Sequence, residues 1–237
     1  KINGEESFYK SPTDLGVKRA GFAIINDDIT KEAAKQEILR RFFRYRCEYA
    51  MGFTDKETVQ RVELFSKDFH LQPEDRRVVP PARLAAQEAM ENNRCNEGIF
   101  CGAAIELQDG TMITGSNSPL MHAASSVVIH ALKHLADIPD KIKLLPPNIT
   151  DSIRQLKTEI LDEKNVSLDL EEALIALAIS ATTNPAAQLA LEKLRELRGC
   201  EVHMTHIPTP GDEAGLRRMG VNLTSDPNFS TNDLFVT

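Results

Sequence analysis

Residues 102–134, GAAIELQDGTMITGSNSPLMHAASSVVIHALKH, decide the fold that the sequence predicts. The stretch is typical of a strand, a tight turn, a second strand, a loop and a helix. Asp109-Gly110 lies between two runs rich in Ala, Ile, Met and Thr, and Asp-Gly is a strong hairpin signal. Because a type I′ turn needs a positive φ at both central residues, we expect left-handed backbone at this dipeptide. The pattern predicts a β-hairpin over residues 99–115.

The helix after the hairpin is predicted over residues 119–136. Ser118 is suited to be its N-cap, and Pro119 is suited to the first helical position. The apolar residues that follow recur at helical spacing, namely Ala124, Val127, Val128, Ala131, Leu132 and Leu135.

Helical spacing dominates the first ninety residues, after a polar and turn-rich arm over residues 1–21. Three helices are predicted there, beginning at Thr30, at a capping box of Thr54 and Glu57, and at Pro80-Pro81. More helices and two short strands follow the hairpin. The expected fold class is α/β (α+β), with an arm and helical subdomain over residues 1–92. An α/β domain, a hairpin-containing sheet packed with several helices, is expected over residues 93–237.

The composition excludes several classes of function. The 237 residues carry a net charge of -7, which argues against nucleic-acid binding, because that binding rests on clustered Lys and Arg. The basic run RRFFRYR at residues 40–46 is therefore interpreted as a solvated helix face. The longest apolar run, residues 173–181, is too short to span a bilayer, and no secretory leader is visible. Four scattered cysteines indicate reduced thiols, so we expect a cytoplasmic protein.

Histidines are the first candidates for chemistry. His130 and His134 are four residues apart on one predicted helix face, a spacing that can bind a metal, and His122 precedes them by eight residues. No HExxH motif is present and no carboxylate accompanies them, so no metal site is predicted. Neither GxGxxG nor GxxxxGK[ST] occurs, and we expect no cofactor in this chain.

A small polar loop before the predicted helix is the best candidate for ligand binding. Its residues are Thr114, Gly115, Ser116, Asn117 and Ser118. Free backbone N–H groups and the helix dipole favour an anion at a helix start, and no acidic residue occurs over residues 111–133. Ser125 lies further along the helix, and Asn184 repeats the arrangement at another helix start. The alternative interpretation of both loops is ordinary helix capping.

The sequence resembles the C-terminal half of a bacterial family known as domain of unknown function 1846. The stretches that carry the resemblance include KSPTDLGV (10–17), PEDRRVV (73–79), IELQDGTMITG (105–115), TNPAAQLALEKL (183–194) and GVNLTSDP (220–227). The chain departs from the family pattern over residues 92–102, a longer segment that contains Cys95 and Cys101. The resemblance implies an upstream Rossmann-like domain of the same protein, with a Gly-rich loop, that is missing from this chain.

The order of hairpin, helix and later Asn-Pro helix start also resembles the cytidine-deaminase-like fold. Members of that fold hold zinc with a His- or Cys-Ala-Glu sequence and a Pro-Cys-x-x-Cys sequence. Here His122-Ala123-Ala124 lacks the glutamate, and Pro185 is followed by Ala186 and Ala187 without either thiolate. This resemblance implies a deaminase-like fold that has lost its zinc.

Together these features predict a small phosphorylated or nucleotide-like ligand, bound in a cleft between this chain and the missing Rossmann-like half. The alternative is a non-catalytic structural domain that forms a homo-oligomer through its helices. The sequence leaves open whether the chain is an enzyme.

Overall fold

The computed structural model describes residues 27–96 and 98–230, and within them it has eight α-helices and one four-stranded mixed sheet. The α/β class, with helices preceding a hairpin-containing sheet, is confirmed. The contacts divide the chain into two compact units, the first ending at Arg76 and the second beginning at Arg77. The predicted arm over residues 1–21 lies outside the described residues.

The first unit contains two long helices, α1 (Asp27–Ala50) and α2 (Lys56–Asp68), which pack on each other. The N-cap of α2 is Asp55, whose Oδ1 accepts a hydrogen bond from the Thr58 backbone N–H at 2.7 Å. The predicted cap at Thr54 is therefore one residue early.

Within the basic run on α1, Arg41 and Arg44 are exposed, whereas Phe42 and Phe43 are buried in the core. Arg41 pairs with Glu37, and Arg44 pairs with Glu48, each one helical turn away. Such i,i+4 pairs are typical of a solvated helix surface.

The sheet of the second unit has the order β2-β1-β3-β4. Its strands are β1 (Gly102–Glu106), β2 (Met112–Ser116), β3 (Glu201–Met204) and β4 (Asn222–Ser225). β1 is antiparallel to both β2 and β3, whereas β3 and β4 are parallel. The last pair needs a crossover, which α8 (Pro210–Met219) supplies.

The hairpin turn differs from the predicted type I′ turn. Gly110 has a φ of +85°, but Asp109 is not in the left-handed region. The Gly110 N–H donates to the Leu107 carbonyl, and the Leu107 N–H donates to the Thr111 carbonyl. This is a type I turn followed by a left-handed glycine, the arrangement of a three-residue hairpin loop with a bulge.

Two helices cover the two faces of the sheet. Alternate residues of β1 point to opposite faces, so Ala104 packs with Ala82 of α3 (Val79–Glu91), while Ala103 and Ile105 join the main core with α4 (Ala123–Leu135). α4 approaches β2 closely, because a Cβ at Gly115 would stand 2.4 Å from the Val127 backbone nitrogen.

The start of α4 corrects the prediction for Ser118 and Pro119. The Ser118 hydroxyl accepts hydrogen bonds from Leu120 and Met121 and so closes a separate turn. Met121 then pairs with Leu168, which keeps the chain extended as far as His122. The helix therefore begins at Ala123 rather than at residue 119.

The remaining helices complete the core behind the sheet. They are α5 (Pro147–Gln155), a π-helical turn (Leu156–Ile160), α6 (Leu170–Ser180), α7 (Pro185–Glu192) and a 3-10 helix (Lys193–Leu197). Asn184 caps α7 as its sequence predicts, since its Oδ1 accepts from the Ala186 N–H at 3.0 Å.

Among the described residues, no helix is both long and apolar enough to cross a membrane.

Candidate functional site

A cavity of about 450 Å³ lies in the second unit, beside the start of α4, the loop before α6 and the start of α8. Its polar lining includes His122, Lys164, Asn165, His206, Thr209 and Asp212. Its apolar lining includes Ile99, Cys101, Met204, Ile207 and Pro208. The volume is in the range that small-molecule sites usually have.

The central feature of the cavity is a pair of side chains, His122 and Asp212. His122 directly precedes α4, and Asp212 is the third residue of α8. His122 Nδ1 lies 2.8 Å from Asp212 Oδ2, and the two side chains are only 16% and 3% exposed. The pair is therefore held mostly out of water while still facing the cavity.

Three hydrogen bonds fix the Asp212 carboxylate. Its Oδ1 accepts from the Leu170 backbone N–H at 2.9 Å, and its Oδ2 accepts from the Thr209 hydroxyl at 2.9 Å as well as bonding His122. Thr209 is itself the N-cap of α8, so the cap that starts the helix also orients the acid. The negative charge also suits the positive end of the helix dipole.

The same contacts determine the protonation pattern of the His122 ring. A carboxylate only accepts hydrogen bonds, so Nδ1 carries the hydrogen and Nε2 of the neutral ring is an acceptor. Asn165 Nδ2 lies 3.3 Å from Nε2. His122 therefore presents a basic nitrogen next to the Asn165 amide.

Burial and the neighbouring negative charge have opposite effects on the pKa of His122. Burial disfavours the protonated ring, but the hydrogen bond and the negative charge of Asp212 outweigh it, so the pKa of His122 is raised above its usual value. At His206, which bonds the Thr205 hydroxyl, burial lowers the pKa although Asp226 opposes the change. The two cavity histidines thus differ in basicity.

Cys101 lines the cavity as a thiol. Burial and the nearby charge of Asp212 raise its pKa to about 12. Since the thiolate is the nucleophilic form of cysteine, Cys101 is not suited to attack a ligand at neutral pH.

The comparisons with known proteins match the whole length of the chain. The model for "Domain of unknown function DUF1846, C-terminal" matches residues 74–235, and the model for the N-terminal domain of the same family matches residues 1–70. The chain belongs to the DUF1846 family.

Curated DUF1846 relatives from Clostridium botulinum are named UPF0371 protein. The protein of strain Alaska E43 / Type E3 is 48% identical over 236 residues, which are 99% of this chain and 47% of that protein. The protein of strain Kyoto / Type A2 is 47% identical over the same coverage. This chain spans about half the length of the curated relatives it matches.

These matches correct two expectations. The prediction of a C-terminal half that needs an upstream Rossmann-like domain is wrong, because the N-terminal DUF1846 model matches residues 1–70 of this same chain. The resemblance to the cytidine-deaminase-like fold is not supported, since the matches identify DUF1846 alone.

Of the ligand residues predicted for this DUF1846 chain, Asn117 is the one found among the described residues of the cavity lining. Its Oδ1 accepts from the Cys101 N–H at 2.9 Å, and its Nδ2 donates to the Ile99 carbonyl at 2.8 Å. The Asn117 amide thus holds the cavity wall in place.

The other predicted ligand residues have structural contacts elsewhere. Thr114 and Ser116 pair with β1 in the sheet, Gly115 lies under α4, and Ser118 closes its own turn. The Ser125 hydroxyl donates to the Leu168 carbonyl, and Asn184 caps α7. Anion binding by this loop stays a prediction.

The sequence analysis considered His122 as a member of a histidine stripe and as the first residue of His122-Ala123-Ala124, and it did not connect His122 with Asp212. His130 and His134 instead lie beside a separate, open groove, and His130 bonds the Thr114 carbonyl. Among the described residues, no group of three or more His, Cys, Asp or Glu could hold a metal ion. The available signal for Asp212 was the Thr209-x-x-Asp212 pattern of a helix start.

Proposed function

We propose that this cavity binds a small phosphorylated, nucleotide-like ligand and that His122 serves there as a general base and acid. The observation that carries the proposal is the 2.8 Å contact between His122 Nδ1 and a carboxylate that Leu170 and Thr209 hold in place. A histidine oriented by a buried acid, in a cavity and with a shifted pKa, is typical of acid-base catalysis.

The lining supports this class of ligand. Ile99, Met204 and Ile207 offer an apolar surface to a ring, and the exposed Lys164 offers a positive charge to a phosphate at the rim. The Asp212 side chain is only 3% exposed, and its carboxylate already accepts hydrogen bonds from Leu170, Thr209 and His122, which reduces its repulsion of an anionic group near Lys164.

In the proposed chemistry, Nε2 of His122 accepts a proton from a hydroxyl group of the ligand or from a water molecule. Asp212 at Nδ1 stabilises the resulting positive charge while the deprotonated oxygen attacks the phosphorus of the ligand. The bond from phosphorus to the leaving oxygen breaks, and that oxygen takes the proton from Nε2. Because Cys101 is held as a thiol, the proposal involves no thiolate nucleophile.

Calorimetric titration with adenosine 5′-monophosphate (AMP) tests the proposed ligand. We expect wild-type protein to bind AMP and the His122→Gln variant to lose at least about tenfold in affinity, the scale of leaving one buried hydrogen-bonding group without its partner. His134→Gln is the matched control, because His134 is exposed on the same helix away from the cavity. Equal affinity in the two variants, or no binding by wild type, contradicts the proposal.

A non-catalytic structural domain is the second candidate. Ile175 and Ile179 of α6 are 59% and 49% exposed, and they are one helical turn apart on the same face. Exposed apolar faces of this kind favour association between copies of a chain. Absence of AMP binding together with a concentration-dependent dimer in sedimentation would favour this candidate.

A further inference from the structure

The amide of Asn165 is held in one orientation by its neighbours. Its Oδ1 accepts hydrogen bonds from the Ser167 hydroxyl at 2.7 Å, from Asn96 Nδ2 at 3.0 Å and from the Ser167 backbone N–H at 3.1 Å. Turning the amide over would place its NH₂ group against the Ser167 backbone N–H, which can only donate. The NH₂ group of Asn165 must therefore face His122 Nε2.

We propose that Asn165 is a positioning residue that keeps Nε2 of His122 a hydrogen-bond acceptor. A ligand then meets this nitrogen with a hydroxyl group, placed where the Asn165 amide now stands. The inference rests on the proposed function, and it adds the protonation state of the base and the group that the ligand must bring to it.

The base of the Asn165 loop is anchored to the segment that carries His122. The Leu168 N–H donates to the Leu120 carbonyl, and the His122 N–H donates to the Leu168 carbonyl, each at 2.9 Å. The buried Lys157 donates to the Ser167 carbonyl at 3.1 Å and pairs with Glu172 at 2.9 Å. These bonds fix the position of the Asn165 loop relative to the imidazole of His122.

A ligand hydroxyl can replace the Asn165 amide at Nε2 of His122. Asn165 is an exposed residue, and its 3.3 Å distance to Nε2 is longer than the usual 2.9 to 3.0 Å for a hydrogen bond from N–H. A ligand hydroxyl can approach to about 2.8 Å and form a stronger bond. A ligand that offers only carbonyl or ether oxygens brings no hydrogen to this acceptor.

Charged groups from several elements face His122. Asp212 of α8 and Asp169 at the start of α6 favour the protonated ring, and Lys157 of the π-helical turn opposes it. Lys164, on the same loop as Asn165, adds a positive charge at the cavity, and the Cys101 thiol is uncharged. The Asn165 amide acts against the two acids, because a donor at Nε2 bonds only the neutral ring.

Histidine ¹⁵N NMR spectra recorded across pH test the inference without any ligand. We expect Asn165→Ala to raise the pKa of His122 by about half a unit to one unit, since a water molecule bonds either ring form while the amide bonds only one. Asn165→Asp keeps the shape, removes the donor and is expected to raise the pKa further. Asn92→Ala, at the exposed end of α3, is the matched control and is expected to leave it unchanged.

An unchanged or lowered pKa of His122 in Asn165→Ala overturns the inference. If that variant does not fold, Asn96→Ala releases one of the three bonds on Asn165 and is expected to raise the pKa in the same direction. The two proposals can fail separately. The NMR spectra test the role of Asn165 without any ligand, and the calorimetric titration tests AMP binding without measuring the pKa of His122. AMP should also bind at least about tenfold tighter than its 2′,3′-dideoxy analogue, and equal affinity would overturn the hydroxyl requirement.

Discussion

At the scale of single residues, one hydrogen bond decides which nitrogen of His122 faces the ligand. Asp212 Oδ2 bonds Nδ1 of His122, and the Leu170 N–H holds the other carboxylate oxygen, Oδ1. The geometry resembles that of other acid-histidine pairs, in which the acid sets the tautomer and supports the positive ring. A chemically small change at Asp212 should therefore have a large effect on His122.

Asp212→Asn is expected to reverse the tautomer of His122. The Leu170 N–H needs an acceptor, so the new carbonyl oxygen stays at the Oδ1 position and the NH₂ group faces Nδ1. Nε2 then carries the hydrogen, and both it and Asn165 Nδ2 are donors. Histidine ¹⁵N chemical shifts measure the change, with the exposed Asp140→Asn as control. Retention of the Nδ1–H form in Asp212→Asn would show that the pair is wrongly described.

At the scale of elements, the sequence predicted features that depend on neighbouring residues better than features that depend on a distant part of the chain. Gly110 and Asn184 were identified from the sequence because a left-handed glycine and an N-cap act within a few residues. The start of α4 was misplaced because Met121 pairs with Leu168, 47 positions further along the chain. The local sequence around Ser118 does not indicate that pairing. It therefore predicted a helix cap where the structure has a separate turn.

The contact between α3 and the end of β4 gives a pH-dependent prediction. Arg83 binds both oxygens of Asp226, at 2.8 and 3.0 Å, and the buried His203 lies 3.6 Å from the same carboxylate. Burial alone would raise the pKa of Asp226, but the nearby His203 and the two hydrogen bonds from Arg83 lower it to about 2. The charged carboxylate therefore stabilises the folded state.

Asp226→Asn is expected to lower the free energy of unfolding by about 1–2 kcal/mol at pH 7, a figure reduced for solvent screening at Arg83. For a carboxylate with a lowered pKa, this stability is complete above the ordinary value of 3.8 and is lost as the pH falls towards 2. Urea unfolding at pH 7, 5 and 2.5 measures the difference. A gap between variant and wild type that widens in acid would contradict the explanation.

At the scale of the whole molecule, the candidate site depends on distant parts of the chain. His122 and Asp212 are 90 positions apart, and they meet because α4 and α8 begin on the same side of the core. The fold class was predictable from hydrophobic periodicity, which repeats along each element. The cavity could not be predicted, because no local pattern links the Thr209-x-x-Asp212 helix start to a histidine before α4. The curated DUF1846 relatives that this chain matches are about twice as long as the chain itself.

The most direct test of the site is the titration of His122 in the wild-type protein, followed by ¹⁵N NMR of its ring. The raised pKa predicts protonation above the ordinary value of 6.5, and the bond to Asp212 predicts the Nδ1–H tautomer once the ring is neutral. Addition of AMP should shift the His122 signals and leave those of His134 in place. A neutral ring with hydrogen on Nε2, or a His122 pKa below 6.5, would contradict the account of this cavity.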